Sequence, residues 1–399
     1  MLKNPYRDHI IVNPLMRGGI LPPEVGNEFF AEWGRVGYAV CYDCLEGRSS
    51  LCGKPPVKKF LERVAAFFGG DAAEHTLGCR AAQFAVMRAV SESLEGGREA
   101  TGTVIADPTS HYSTNIAAEM NGLRVAEFPH SGYPEYTYSP GDYENAVLRI
   151  RDETGRLPAL AVVTHADPYY GNIAPVAEIG SICRNLGVPL MLNAAYTGGV
   201  MPINMKSLNV DFLTLSAHKS MMSVAPLGFA VTTHEWADRL FGISKTSAAW
   251  TGRAFGKKIP NLFGCSIGGL PLISVMEVFP YVEERVARWD EELRKSNEFA
   301  EAIEDIGDIM LLGQRPHKHH LLHFETPRLW EVCNTTKDKG FYLAEFMIRR
   351  GIAGLHRGLS KHIKLSVYGL SDEERQKVLE AFRELATSGN GRIAKDSAP

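Results

Sequence analysis

The chain has 399 residues, with 43 Lys+Arg against 46 Asp+Glu for a formal net charge of −3, and 45% hydrophobic and 22% charged residues. That length allows two domains, or one large α/β domain with an appendage, and the composition excludes wholesale disorder and coiled coil. The near balance of charge excludes a general nucleic-acid coat and leaves room only for a local basic patch.

The opening MLKNPYRDHI lacks the basic and apolar blocks of a signal peptide. Residues 1–55 read as an N-terminal segment carrying Cys41-Tyr42-Asp43-Cys44. From 56 to 280 short apolar runs alternate with amphipathic stretches. The predicted strands are TVIA (103–106), RVAEF (124–128), ALAVVTH (159–165), PLMLN (189–193), DFLTLS (211–216) and GFAVTT (228–233), with helical patterns such as VKKFLERVAAFFGG and VAEIGSICRNLG between them. Continuous Val/Leu/Ile strands with crossover helices predict an α/β fold with a mainly parallel sheet covered on both faces.

Residues 262–282 imitate a membrane span, but Glu277 lies inside and Pro271 and Pro280 are expected to break the helix, so a buried segment or subunit interface is expected. A charged helical region at 275–306 leads into a smaller C-terminal α+β domain (281–388). There HHLLHFE and HIKLSVY read as strands and DEERQKVLEAFRELA as a helix with acids early. Residues 389–399 read as a flexible tail. Seven cysteines at irregular spacing make no disulfide scaffold, and a cytoplasmic, membrane-free protein is expected.

The most informative stretch is DFLTLSAHKS, 211–220. A lysine at the C-terminal end of a strand projects into the crevice where open α/β sheets bind ligands. Beside Ser216 and His218, which can hold a phosphate, Lys219 can form a Schiff base with an aldehyde cofactor. Asn193 ends another buried strand. TLGCRAAQ opens a helix after a glycine, so the N–H groups near Cys79 and Arg80 can face a phosphate. His111 can stack on an aromatic ring, and His165 and Asn172 close a third strand end. In this order the set resembles the fold-type I pyridoxal-phosphate enzymes across about residues 55–235. The resemblance implies pyridoxal phosphate on Lys219, with Cys79, Arg80, His111, Asn172, Asn193, Ser216 and His218 around it. Aminotransferases usually carry Asp where Asn193 stands; a neutral amide leaves the ring nitrogen less protonated and the electron sink weaker.

Cys41 and Cys44, with Cys265 in FGCSIGGLP, read as a redox pair, half a zinc site, or three thiols able to carry persulfide sulfur or ligate an iron–sulfur cluster. Taken with GRSSLCGKPPV, SHYST, NAAYTGG and SAHKS, these motifs resemble the archaeal O-phospho-L-seryl-tRNA:Cys-tRNA synthase family over nearly the whole chain. The resemblance implies a homodimer with sites at its interface, sulfur handling by Cys41, Cys44 and Cys265, and Asn193 as a family trait. It implies elimination of phosphate from phosphoserine esterified to tRNA(Cys), with Lys219 as base, followed by sulfur addition. Arg80, His111 and Lys245 are the candidate cations for the leaving phosphate, and a phosphoseryl-tRNA synthetase is the expected partner.

On the strand HIKLSVY, Lys364 stands where enzymes of free amino acids commonly place an arginine to clamp the carboxylate, which fits an esterified substrate. Two basic runs, Arg349, Arg350, Arg357, Lys361 and Lys364, and Arg315 to His320, are candidate RNA contacts. The rivals are a cysteine desulfurase or selenocysteine lyase, whose nucleophile would have to be Cys333, and a non-catalytic sulfur or iron–sulfur carrier.

Overall fold

A computed structural model describes residues 2–35, 40–45, 47, 55–243, 247–248, 253–254, 257–263 and 268–388. Its centre is a seven-stranded sheet in the order β2-β8-β7-β6-β5-β3-β4, from β2 (Ala72–Thr76), β3 (Thr103–Ala106), β4 (Arg124–Glu127), β5 (Leu160–Thr164), β6 (Leu190–Asn193), β7 (Phe212–Ser216) and β8 (Gly228–Thr232). Only β8 runs against the others. The predicted mainly parallel α/β sheet is therefore the observed one.

The continuity of the apolar runs has a direct cause. Ala161, Val163, Leu213 and Leu215 face one hydrophobic core, while Leu160, Val162 and Phe212 face another across the sheet. Both faces are covered, so apolar residues run on without alternation and the polar ones are few, Thr214 within β7 and Thr164, Asn193 and Ser216 at the strand ends. β2 escaped prediction because it reads AAEHT, with Glu74 and His75 buried at the sheet's edge.

In the C-terminal unit, β11 (Met310–Leu312), β12 (Leu322–Glu325) and β14 (His362–Leu365) form an antiparallel sheet. β9 (Ser247–Ala248) and β10 (Arg253–Ala254) make a short ribbon before it. β1 (Ile10–Ile11) pairs in parallel with β13 (Ile352–Ala353), and Val12 lies in the C-terminal core beside Leu311 and Phe324. The N-terminal segment is thus shared: Phe29, in the helix Pro23–Trp33, packs instead into the core of the large sheet.

The helix Gly269–Ala287 corrects the expectation that two prolines break it. Pro271 falls in the first turn, where its missing N–H would have had no partner. Pro280 is interior, and the bond it removes is outweighed by burial of Leu272, Val275, Phe279 and Val282. Residue 281, the expected domain boundary, lies inside this helix. Among the described residues no helix is long and apolar enough to cross a membrane.

Candidate active site

Strand register sets the site. Thr164 pairs with Asn193, and Asn193 with Thr214, so the ends of β5, β6 and β7 lie side by side. β2 leads to Gly78, which turns with φ 117° into the helix Cys79–Glu95. That conformation suits glycine, and a Cβ on Gly228 opposite would stand 2.5 Å from the Gly78 carbonyl carbon. Two backbones and the lysine turn thus close up without side chains between them.

β7 runs into the short helix Ala217–Ser220, which carries His218 and Lys219. Cys79 N–H donates to Ser216 Oγ at 3.3 Å, joining the start of the long helix to the end of β7. Asn193 Oδ1 accepts from Ala195 N–H (3.2 Å) and from Cys79 Sγ (3.2 Å), which also lies 3.4 Å from Thr214 Oγ1. Cys79, Arg80, His111, Asn193, Ser216, His218 and Lys219 all line one cavity of about 420 Å³.

Burial pulls the Lys219 ammonium below its ordinary range, partly offset by Cys79 and reinforced by Arg80. Its Nζ lies 4.6 Å from the Tyr196 ring centroid. Burial, with Lys219 and Arg80 nearby, lowers His111 to about 4, so its ring is neutral at pH 7. His111 Nδ1 lies 2.8 Å from Ser113 Oγ, which donates to Gln83 Oε1. Burial pushes the Cys79 thiol up to about 11, which keeps it a donor. Arg80 hydrogen-bonds the Tyr112 hydroxyl, and its guanidinium lies 5.0 Å from that ring's centroid.

The donor set fits a phosphorylated aromatic aldehyde. There is a desolvated amine to take the carbonyl, a helix start with a serine hydroxyl and His218 for an anion, and a neutral imidazole able to stack. The glycine cradle leaves room at the anion end. Tyr112, Tyr196 and Thr214 belong to the same cluster but were not singled out from sequence. Tyr196 was within reach, three residues beyond Asn193 in NAAYTGG.

Other expected residues are placed elsewhere. Asn172 does not line the cavity; its Nδ2 donates to Glu135 O and Tyr136 O, and its Oδ1 accepts from Gln314 N–H. It fastens a loop of the large domain to the C-terminal unit. His165 is buried beside Thr197 Oγ1 at 2.9 Å. Cys41 and Cys44 are buried at the short helix Tyr42–Leu45 with their sulfur atoms 3.7 Å apart, and neither is among the described residues lining the cavity. Lys245 and Cys265 lie outside the described residues. Among the described residues no group of three or more His, Cys, Asp and Glu is arranged to hold a metal ion.

The run from Arg315 to His320 is not a basic surface. His317, His319 and His320 are buried, with burial lowering His317 to about 4 and His320 to about 3, and Arg315 pairs with Glu304. In the second run Arg350 pairs with Glu384, Arg357 with Glu345 and Lys361 with Glu325. The desulfurase rival fares no better: Cys333 is buried in the helix Pro327–Asn334, its thiol pushed up to about 11 by burial.

The aminotransferase class-V family matches residues 56–329. O-phospho-L-seryl-tRNA:Cys-tRNA synthase 2 of Archaeoglobus fulgidus is 45% identical over 386 residues, covering 96% of both chains. The O-phospho-L-seryl-tRNA:Cys-tRNA synthase of Methanopyrus kandleri is 40% identical over 97% of this chain and 96% of its own. Among solved structures, a SepCysS–SepCysE N-terminal domain complex superposes with TM-score 0.84 at 37% identity over 97% of both chains. A cysteine desulfurase from Thermococcus onnurineus NA1 shares the fold, with TM-score 0.75 at 18% identity over 95% of both.

Proposed function

This chain belongs to the O-phospho-L-seryl-tRNA:Cys-tRNA synthases within the aminotransferase class-V family, and from that membership we propose that it converts O-phosphoseryl-tRNA(Cys) to cysteinyl-tRNA(Cys). It is a pyridoxal-phosphate-dependent transferase. The observation that carries the reading is the convergence of Lys219, Ser216, Cys79, Arg80, His111 and Asn193 on one cavity in a chain of this kinship.

Bound pyridoxal phosphate supplies an electron sink that labilises the α-proton and the β-substituent of an attached amino acid. Ser216, His218 and the Cys79 N–H would hold its phosphate, His111 would flank its ring, and the Asn193 amide would meet the ring nitrogen without a charge. Lys219 would anchor the aldehyde and, once freed from it, would take the α-proton of the amino acid. Its desolvated amine is suited to that role because burial already favours the unprotonated form. Arg80, with Lys245, receives the leaving phosphate dianion. Cys41, Cys44 and Cys265 would bring sulfur to the carbon that phosphate leaves. The outer sulfur of a persulfide on one would bond to that carbon while a second thiolate takes the inner sulfur as a disulfide, or the three thiolates would hold an iron–sulfur cluster that passes on bound sulfide without change of oxidation state. The working form is a cytoplasmic homodimer, supplied with substrate by a phosphoseryl-tRNA synthetase.

The test compares phosphoseryl-tRNA(Cys) with free phosphoserine, each with sulfide, scoring cysteine on RNA and cysteine free. Turnover confined to the RNA-borne substrate is the expected result. Efficient use of free phosphoserine, or alanine formed from free cysteine, would overturn the assignment.

A further inference from the structure

Pro168 lines the rim of the catalytic cavity, and the next residue, Tyr169, is 44% exposed. Asp167 Oδ1 accepts from the N–H groups of Tyr169 (2.8 Å) and Tyr170 (2.7 Å), which fixes the backbone here. From the C-terminal unit, His323 Nδ1 donates to Tyr169 O at 2.8 Å. Beside it three rings are layered. Tyr136 and Tyr170 stack with centroids 3.9 Å apart and planes at 4°, and Tyr170 and His323 stack at 5.3 Å and 10°. Lys364 reaches across from β14, donating from Nζ to Pro168 O at 3.2 Å and standing 5.9 Å from the Tyr169 centroid. An ammonium has three donors, so this bond leaves others for an anion.

One residue beyond the cavity-lining Pro168, an exposed ring therefore stands on a hydrogen-bonded backbone with a lysine at its side. A planar aromatic face next to a cation is what a single-stranded nucleotide recognises, the base stacking and the phosphate meeting the charge. Tyr169 follows directly on Pro168, which lines the cavity, so the nucleotide that this position suits is the one whose ribose carries the amino acid.

We propose that Tyr169 and Lys364 form a ledge that holds the 3′-terminal adenosine of the substrate tRNA, adenine on the Tyr169 ring and phosphate at Lys364, while the aminoacyl ester enters past Pro168. The ledge rests on the reading of the substrate as an RNA ester. Lys364 then has a role that a carboxylate clamp does not: it reads the nucleotide and not the amino acid.

The experiment uses phosphoseryl-tRNA(Cys) and the same RNA with its terminal base removed from the ribose. On intact RNA, Tyr169→Ala should raise KM about ten- to a hundredfold with kcat and pyridoxal absorbance retained, and Tyr169→Phe should restore KM. On abasic RNA the wild type should already show the raised KM, and Tyr169→Ala should add nothing. Lys364→Ala should reduce the slope of log KM against log salt by about 0.7, one single-strand phosphate. An equal rise on intact and abasic RNA, or no rise on either, would overturn the ledge while leaving the activity standing. Wild-type turnover of free phosphoserine at the RNA-borne rate would instead overturn the activity, and the ledge with it.

Discussion

Lys219 owes its place in the cavity and its desolvation to where β7 stops. Lys219→Ala should abolish borohydride-trappable cofactor attachment and cut turnover about a thousandfold or more, with the melting temperature nearly unchanged because the strand end is already formed. Persistent turnover would remove the lysine from the chemistry. On the proposed placement of the ring, Asn193→Asp would put a carboxylate at its nitrogen, against a thiol whose high pKa keeps it a donor. The bound cofactor's spectrum should shift and side transamination should rise; an unchanged spectrum would mean that residue 193 does not touch the ring. Cys41→Ala, Cys44→Ala and Cys265→Ala should each release phosphate without forming cysteine, since elimination requires none of them. Cys183→Ala and Cys333→Ala should keep the two products coupled. Three cysteine variants with wild-type cysteine output on free sulfide would make the trio structural.

At the scale of elements, one side chain ties several together. Arg285, buried in the helix Gly269–Ala287, donates to Gly199 O (2.8 Å), Gly18 O (3.0 Å) and Ser220 O, the last being the carbonyl that follows Lys219. Arg285→Met should cost about 3 kcal/mol or more, because it leaves buried carbonyls unpaired, and should weaken cofactor retention; a full-length melting curve and a dialysis assay check both. Sequence could not reveal this clamp, since an arginine late in a helix looks like an ordinary solvated or capping residue. The parallel strands were legible because two-sided burial writes itself as unbroken apolar runs. The ends of β6 and β7 were legible for the same reason, as the place where such runs give way to Asn193 and to Ser216. β2 was not, because Glu74 and His75 hide the burial of this edge strand. Asn172 was misplaced because a strand end facing the cavity and a strand end facing the other domain have the same local signature. The histidines from 317 to 320 read as basic, since the sequence gives no sign that the chain turns inward there.

For the molecule as a whole, those histidines set a pH window. His165, His317, His319 and His320 are held below their ordinary 6.5 by burial, to about 4, about 4, well below, and about 3. Unfolding lets them take protons, so their stabilisation is complete above about pH 6.5 and is lost as pH falls toward 4. Asp107, Asp167 and Asp211 have the opposite sign: burial raises all three above 3.8, Asp107 to about 6, so their contribution fades as pH rises through their folded pKa values. The four histidines outnumber them. The melting temperature should fall steadily between pH 6.5 and 4, and His320→Asn should flatten that fall; a flat profile in the wild type would mean that these rings are solvated. The pairing of β1 with β13 carries a consequence of another kind. Val12 N–H donates to Ala353 O and Val12 O accepts from Ser366 N–H, both at 2.8 Å, so this strand is completed only by segments more than three hundred residues later in the sequence. During translation it must therefore stay unpaired while those residues emerge behind it. The large sheet can assemble before then, but the C-terminal core closes only once residue 366 is available, and a nascent chain cut short of that point is left with an open strand edge for chaperones and proteases to find.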